Sequence, residues 1–179
     1  MNSTRYILAA MVLGTALVSS QANAQGCIGL GACSATNTAS VSVGALVKLD
    51  MSSAATSLTA PDADDISAGA TLQDAGPTFA IKANRSWSLK IKSANAANWT
   101  YVGSNAGVKP IGDLAWATTA GGTYVPITGT DANFASGAAA TNSGTAAAFF
   151  RTTWSNDFSS ASNAEGTYSL PIVFTLSAP

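Results

Sequence analysis

The closing stretch of the chain constrains it most. Tyr168, Leu170, Ile172, Phe174 and Leu176 alternate with Ser169, Pro171, Val173, Thr175 and Ser177. Successive side chains of a strand point to opposite faces, so this spacing lines up one apolar row. A helix, repeating every ~3.6 residues, would scatter the same residues around its axis. A row of this kind needs a second layer to bury it. Pro171 has no N–H to offer a neighbour, which places the strand at a sheet edge or gives it a bulge.

The period of two recurs upstream. Val41, Val43, Ala45, Val47 and Leu49 share a face opposite Ser42, Gly44 and Lys48, which predicts a half-buried strand over 41–49. Phe79 and Ile81, then Trp87, Leu89 and Ile91, alternate with polar residues across the short connection Ala83-Asn84-Arg85-Ser86. That pattern predicts a hairpin whose outer face carries Lys82, Lys90 and Lys92. Shorter strands are expected at 99–102, 114–118, 123–127 and 149–154. Residues 56–76 read as a strand remnant and a polar loop, and 135–148 as a long alanine-rich loop interrupted by Gly137, Asn142 and Gly144. No segment after residue 24 carries a convincing amphipathic helix pattern. The expected fold is all-β, an antiparallel immunoglobulin-like sandwich of about seven to nine strands.

Ahead of this domain lies an export signal. Arg5 precedes the mostly apolar run Tyr6 to Val18, and Ala22-Asn23-Ala24 gives the small-x-small pattern of a cleavage site. The run falls short of the roughly 20 residues a membrane span needs. The expected organisation is a signal peptide at 1–24, an arm at 25–37 and the sandwich at 38–179, with no membrane span once the signal is removed. The mature protein is expected in the periplasm or at the cell surface. Cys27 and Cys33 are the only cysteines, and an oxidising compartment favours their pairing as a local clip of the arm. Within that clip Ile28, Leu30 and Ala32 alternate with Gly29 and Gly31. The segment is either an arm able to add to a neighbour's open sheet edge, or a simple clipped loop or first strand.

At Gly166-Thr167-Tyr168-Ser169, closing on Ile172-Val173-Phe174-Thr175-Leu176, the chain resembles bacterial immunoglobulin-like secreted subunits of the spore-coat-U and chaperone–usher fimbrial type. The resemblance covers about the last dozen residues. It implies a sandwich subunit assembled into a surface coat or pilus. Independently of the family, a Tyr just after a Gly turn can bury its ring while its hydroxyl bonds nearby backbone, which makes Tyr168 a structural corner.

The residue inventory excludes most chemistry. With 0 histidines, a Ser–His nucleophile pair and imidazole metal sites are absent, and two thiols leave a zinc shell half empty. No phosphate-binding glycine loop is present. Glu165 is the only glutamate, and Asp50, Asp113 and Asp131 sit in expected turns. Asp62, Asp64 and Asp65 form one acidic cluster, but further calcium ligands are missing, so a solvated loop is the simpler reading. Charged residues make up 9% of the chain, and the scattered cations do not form a nucleic-acid surface. No catalytic residue, cofactor or metal is expected.

Two functions remain. The first is a non-catalytic secreted structural subunit, coat- or pilus-like, whose partner is itself or another surface subunit and whose contacts run through strands and sheets. The second is a secreted carbohydrate-binding module using exposed aromatics, with Trp99 and Tyr101 as the candidates to stack on a glycan.

Overall fold

The computed structural model describes residues 30–179. The expected signal peptide, Cys27 and Ile28 lie outside the described residues. The chain divides into two compact units, 1–42 and 43–179. In the first, residues 30–42 carry neither strand nor helix and are exposed throughout.

The second unit is an all-β antiparallel sandwich of ten strands, in agreement with the fold class expected. The first layer contains β1 (Val47–Met51), β2 (Thr71–Ala83), β8 (Thr141–Thr153), β5 (Leu114–Ala117) and β6 (Val125–Pro126), paired in that order. The second contains β10 (Ile172–Ser177), β3 (Trp87–Ser93) and β7 (Ala132–Gly137), again in that order. A small third sheet pairs β4 (Thr100–Val102) with β9 (Thr167–Ser169).

The core forms where the inward rows of the two layers meet. Phe79, Ile81 and Ala83 of β2 cluster with Trp87, Leu89 and Ile91 of β3, Trp116 of β5, Phe134 of β7 and Phe150 of β8. Phe79 and Phe134 meet edge to face at 5.7 Å between ring centroids, and Phe174 of β10 lies 4.5 Å from Phe79. Each fully buried side chain of this size contributes about 1.5–3 kcal/mol by leaving water. The inner row therefore dominates the stability of the fold.

Four expectations give way. Phe79–Ile81 and Trp87–Ile91 do not form a hairpin, because β2 and β3 belong to different sheets. The turn at 84–86 carries the chain from one layer to the other, so the two apolar rows face each other instead of lying side by side. Alternation reports which face is buried, not which strand is the hydrogen-bonded neighbour. Lys82 accordingly stands on one layer and Lys90 and Lys92 on the other.

The strand expected from Val41 begins only at Val47. Ala83 pairs with Val47, and past Ala83 the partner chain has turned into the other layer, which leaves residues 41–45 without a strand beside them. Within 135–148, all but 138–140 belong to strands, the end of β7 and the first part of β8. Small residues suit that site: a Cβ on Gly137 would run into the Trp87 indole, and one on Gly144 would meet Ile81 at 3.3 Å.

The loop expected at 56–76 contains a short helix, α1 (Ala63–Ala68), followed by the first half of β2. Asp62 caps the helix by accepting the Asp65 N–H at 2.8 Å, and the Asp65 carboxylate accepts the Asp62 N–H at 3.0 Å. This reciprocal capping box uses both carboxylates. Gly69, at φ 61°, ends the helix in the left-handed region.

Candidate functional site

The sandwich is unevenly closed. β10 pairs with β3 on one side and with no described strand on the other. The Ala94 N–H donates to the Pro171 carbonyl at 2.9 Å, so the main-chain groups of Pro171 face β3. Groups alternate along an antiparallel strand, so the N–H and C=O of Ile172, Phe174 and Leu176 point to the open side. The side chains of the same three residues turn inward and reach only partial burial.

Beside this edge lies a cleft of about 860 Å³. Its floor includes Leu114, Phe150 and Phe174; Met51 and residues 53–61 form one wall, and residues 165–172 the other. The first wall is not a strand. β1 covers β2 only from Phe79 to Ala83, and the last main-chain bond beyond it runs from the Ser52 N–H to the Thr78 carbonyl at 2.9 Å. Further on, Pro77 has no N–H, the β2 register shifts between Ala75 and Thr78, and Thr59 is tied to the Asp74 side chain by two bonds of 3.0 and 2.6 Å. The β2 side of the cleft is thereby blunted against strand pairing. The β10 side keeps its free edge.

One end of the cleft is polar. Lys109 is 0% exposed, and its Nζ donates to the Thr153 carbonyl at 2.6 Å and to Asp113 Oδ2 at 3.2 Å. The same nitrogen sits 3.9 Å from the Trp154 ring centroid. Burial pulls the ammonium below the usual lysine value, and the Asp113 carboxylate opposes that pull. Thr152 Oγ1 and Trp154 Nε1 are buried here without hydrogen-bond partners. Nothing in the sequence around Lys109 marked it as buried.

The candidate aromatics gather at this end but do not stand in water. Trp99 is only 8% exposed and gives its indole N–H to the Pro110 carbonyl at 3.0 Å. The Tyr101 ring is enclosed by Gly103, Gly107 and Gly166, and its hydroxyl donates to the Glu165 carbonyl at 2.6 Å. Of the pair expected for glycan stacking, Trp99 is buried and Tyr101 half-buried. Both rings point inward because β4 turns its Trp99–Tyr101 face onto the sandwich.

The Tyr168 ring lies 5.0 Å from the Tyr101 ring, and its hydroxyl donates to the carbonyls of Ala164 at 3.0 Å and Ala161 at 3.2 Å. Burial and the neighbouring Tyr101 raise the Tyr168 phenol above its usual value.

Of the arm residues, Leu30 and Ala32 are exposed. Cys33 is not a free thiol; the expected partner, Cys27, lies outside the described residues. Closer to the sandwich, Val41 and Val43 are 88% and 70% exposed. Among the described residues, no three metal-ligating side chains converge, and Glu165 is the one carboxylate lining the cleft. The cleft thus offers apolar surface and an unpaired strand edge, with Lys109 and Glu165 as its charged lining residues.

The sequence matches no known family model and no curated protein. A chain in a solved chaperone–usher pilus structure is similar in shape, with a TM-score of 0.45 and 12% sequence identity, covering 87% of this chain and 100% of that one. No helix among the described residues is long and apolar enough to cross a membrane.

Proposed function

We propose that this protein is a non-catalytic structural subunit, exported to the periplasm or cell surface, that assembles by strand addition. The exposed segment ahead of β1 in one copy enters the cleft of another and pairs with its β10 edge. The observation that carries this reading is the unpaired β10 edge beside an apolar cleft, its inward row only half covered. The occupant is argued from the chain itself. Ala39, Val41, Val43 and Ala45 alternate with Ser40, Ser42 and Gly44, and the two valines stand in water. An extended segment of that kind supplies main-chain bonds to the edge and small apolar side chains to the cleft at every second position.

The arm first expected to do this, Ile28, Leu30 and Ala32, sits inside the proposed Cys27–Cys33 clip; on this reading the clip ends the arm and the strand-forming part follows it. Tyr168 serves as a corner, holding the β9–β10 wall through its two carbonyl contacts. Glycan binding loses its first candidate, since Trp99 is buried.

Light scattering on size-separated protein tests the proposal. The mature chain is expected to form concentration-dependent assemblies, and a chain lacking residues 25–42 is expected to be monomeric yet folded. Assemblies of equal mass from both chains would remove the arm from the account.

A further inference from the structure

We propose that Asn84 is a positioning residue that aims the arm away from its own cleft, so that copies join head to tail rather than closing on themselves. This rests on the strand-addition reading and adds a residue and a direction to it.

The start of β1 and the cleft lie at different ends of β2. β1 runs from Val47, paired with Ala83, to Met51, paired with Phe79, and Met51 and Pro77 line the cleft. The arm joins the fold at the Ala83 end, about 20 Å from Pro77 along β2 at the usual strand rise. To fill its own cleft, the arm would have to reverse direction just before Val47. Gly44 is the residue best suited to that reversal, since it lacks a Cβ and its surroundings are open, with nothing within 4 Å of an added Cβ.

Asn84 blocks the reversal at that point. Its Nδ2 donates to the Gly44 carbonyl at 2.8 Å, and its Oδ1 accepts the Leu46 N–H at 2.9 Å. Its own N–H donates to the Leu46 carbonyl at 3.2 Å. In an extended chain the carbonyl of one residue and the N–H two residues on point to the same side. One side-chain amide spans both, as a neighbouring strand would. Asn84 therefore extends the edge of β2 by one mock residue and holds Gly44–Leu46 in line with β1.

A segment that leaves one copy at the Val47 end of β1 and fills the cleft of another copy makes a heterologous contact, which propagates as an open chain. Without the clamp, the tethered arm competes for its own cleft at an effective concentration of about 1 mM, above that of arms from other copies in dilute protein.

The test compares full-length wild type, Asn84→Asp and Gly44→Ala. Assembly mass is read by light scattering, and cleft availability by binding of a synthetic peptide of residues 35–46. Asn84→Asp keeps a residue suited to the turn but loses the donor to Gly44. It is expected to lower the mean assembly mass several-fold and to yield monomers that bind less peptide, their clefts being self-filled. Gly44→Ala stiffens the hinge and is expected to lengthen the assemblies. If both variants assemble like wild type while wild type binds the peptide, the clamp is overturned and strand addition survives. If wild type neither assembles nor binds the peptide, both fall together.

Discussion

Two rows of the same design meet different fates in this sandwich. In β2 and β3, Phe79, Ile81, Leu89 and Ile91 alternate with polar residues and are fully buried. In β10, Ile172, Phe174 and Leu176 alternate just as regularly and stop half-covered. The residue types do not differ; the position in the sheet does. β3 has a neighbour on each side, whereas β10 has one. A central strand completes its burial within the chain, while an edge strand keeps part of its hydrophobic and hydrogen-bonding capacity for something else.

The comparison breaks if the rows respond alike to truncation. Leu89→Ala is expected to lower the unfolding free energy by about 3 kcal/mol, as a cavity in a closed core does. Ile172→Ala, with part of its surface already in water, is expected to lower it by about 1 kcal/mol in the monomer. Urea denaturation measures both. Equal losses would mean that β10 is as closed as β3.

The corner beside β10 carries a smaller effect. Tyr168→Phe keeps the ring but removes the hydroxyl that donates to the Ala164 and Ala161 carbonyls, at an expected cost of about 1 kcal/mol. Thermal unfolding checks it, and an unchanged melting temperature would remove Tyr168 as a corner.

The polar end of the cleft sharpens the contrast through pH. Lys109 has a folded pKa below the unfolded 10.5, so the folded chain holds fewer protons in the window between the two values. Stability is therefore expected to rise with pH across that window and to level off above 10.5. Tyr168 acts oppositely: its raised phenol makes stability fall as pH climbs above 10.0. Urea midpoints followed into the alkaline range should show the rising limb in the wild type and not in Lys109→Met.

The last residues were the most legible part of the chain. A five-member apolar row interleaved with mostly polar residues dictates a strand with one buried face, because that burial follows from local residue identity. Pro171 left an edge or a bulge open, and its carbonyl is taken by the Ala94 N–H of the β3 side. Layer assignment was not legible. The turn at 84–86 looks the same whether it joins neighbours in one sheet or crosses between two, since the periodicity on either side is unchanged. β7 and the start of β8 stayed hidden because alanine, serine and glycine carry little strand signal by themselves. Their smallness is meaningful only beside the Trp87 ring and Ile81.

The candidate site was half visible. The apolar row of the closing strand is legible, but its open edge comes from the sheet order, and the burial of Trp99 depends on Pro110 accepting its indole N–H, a contact 11 residues away in sequence. Lys109 is buried against Trp154 and the Thr153 carbonyl, 44 residues on. The Asn84 contacts with Gly44 and Leu46 span 40 and 38 residues. Such pairings depend on how the layers are stacked, and local pattern does not encode that.

Amide hydrogen exchange at β10, with and without a peptide of residues 35–46, tests the central claim most directly. The account predicts that the N–H groups of Ile172, Phe174 and Leu176 exchange readily in the isolated monomer and become protected when the peptide binds. Val173 and Thr175, already bonded to β3, should change little. Protection of the three outward groups without peptide, or their continued exchange when it is bound, would contradict the account.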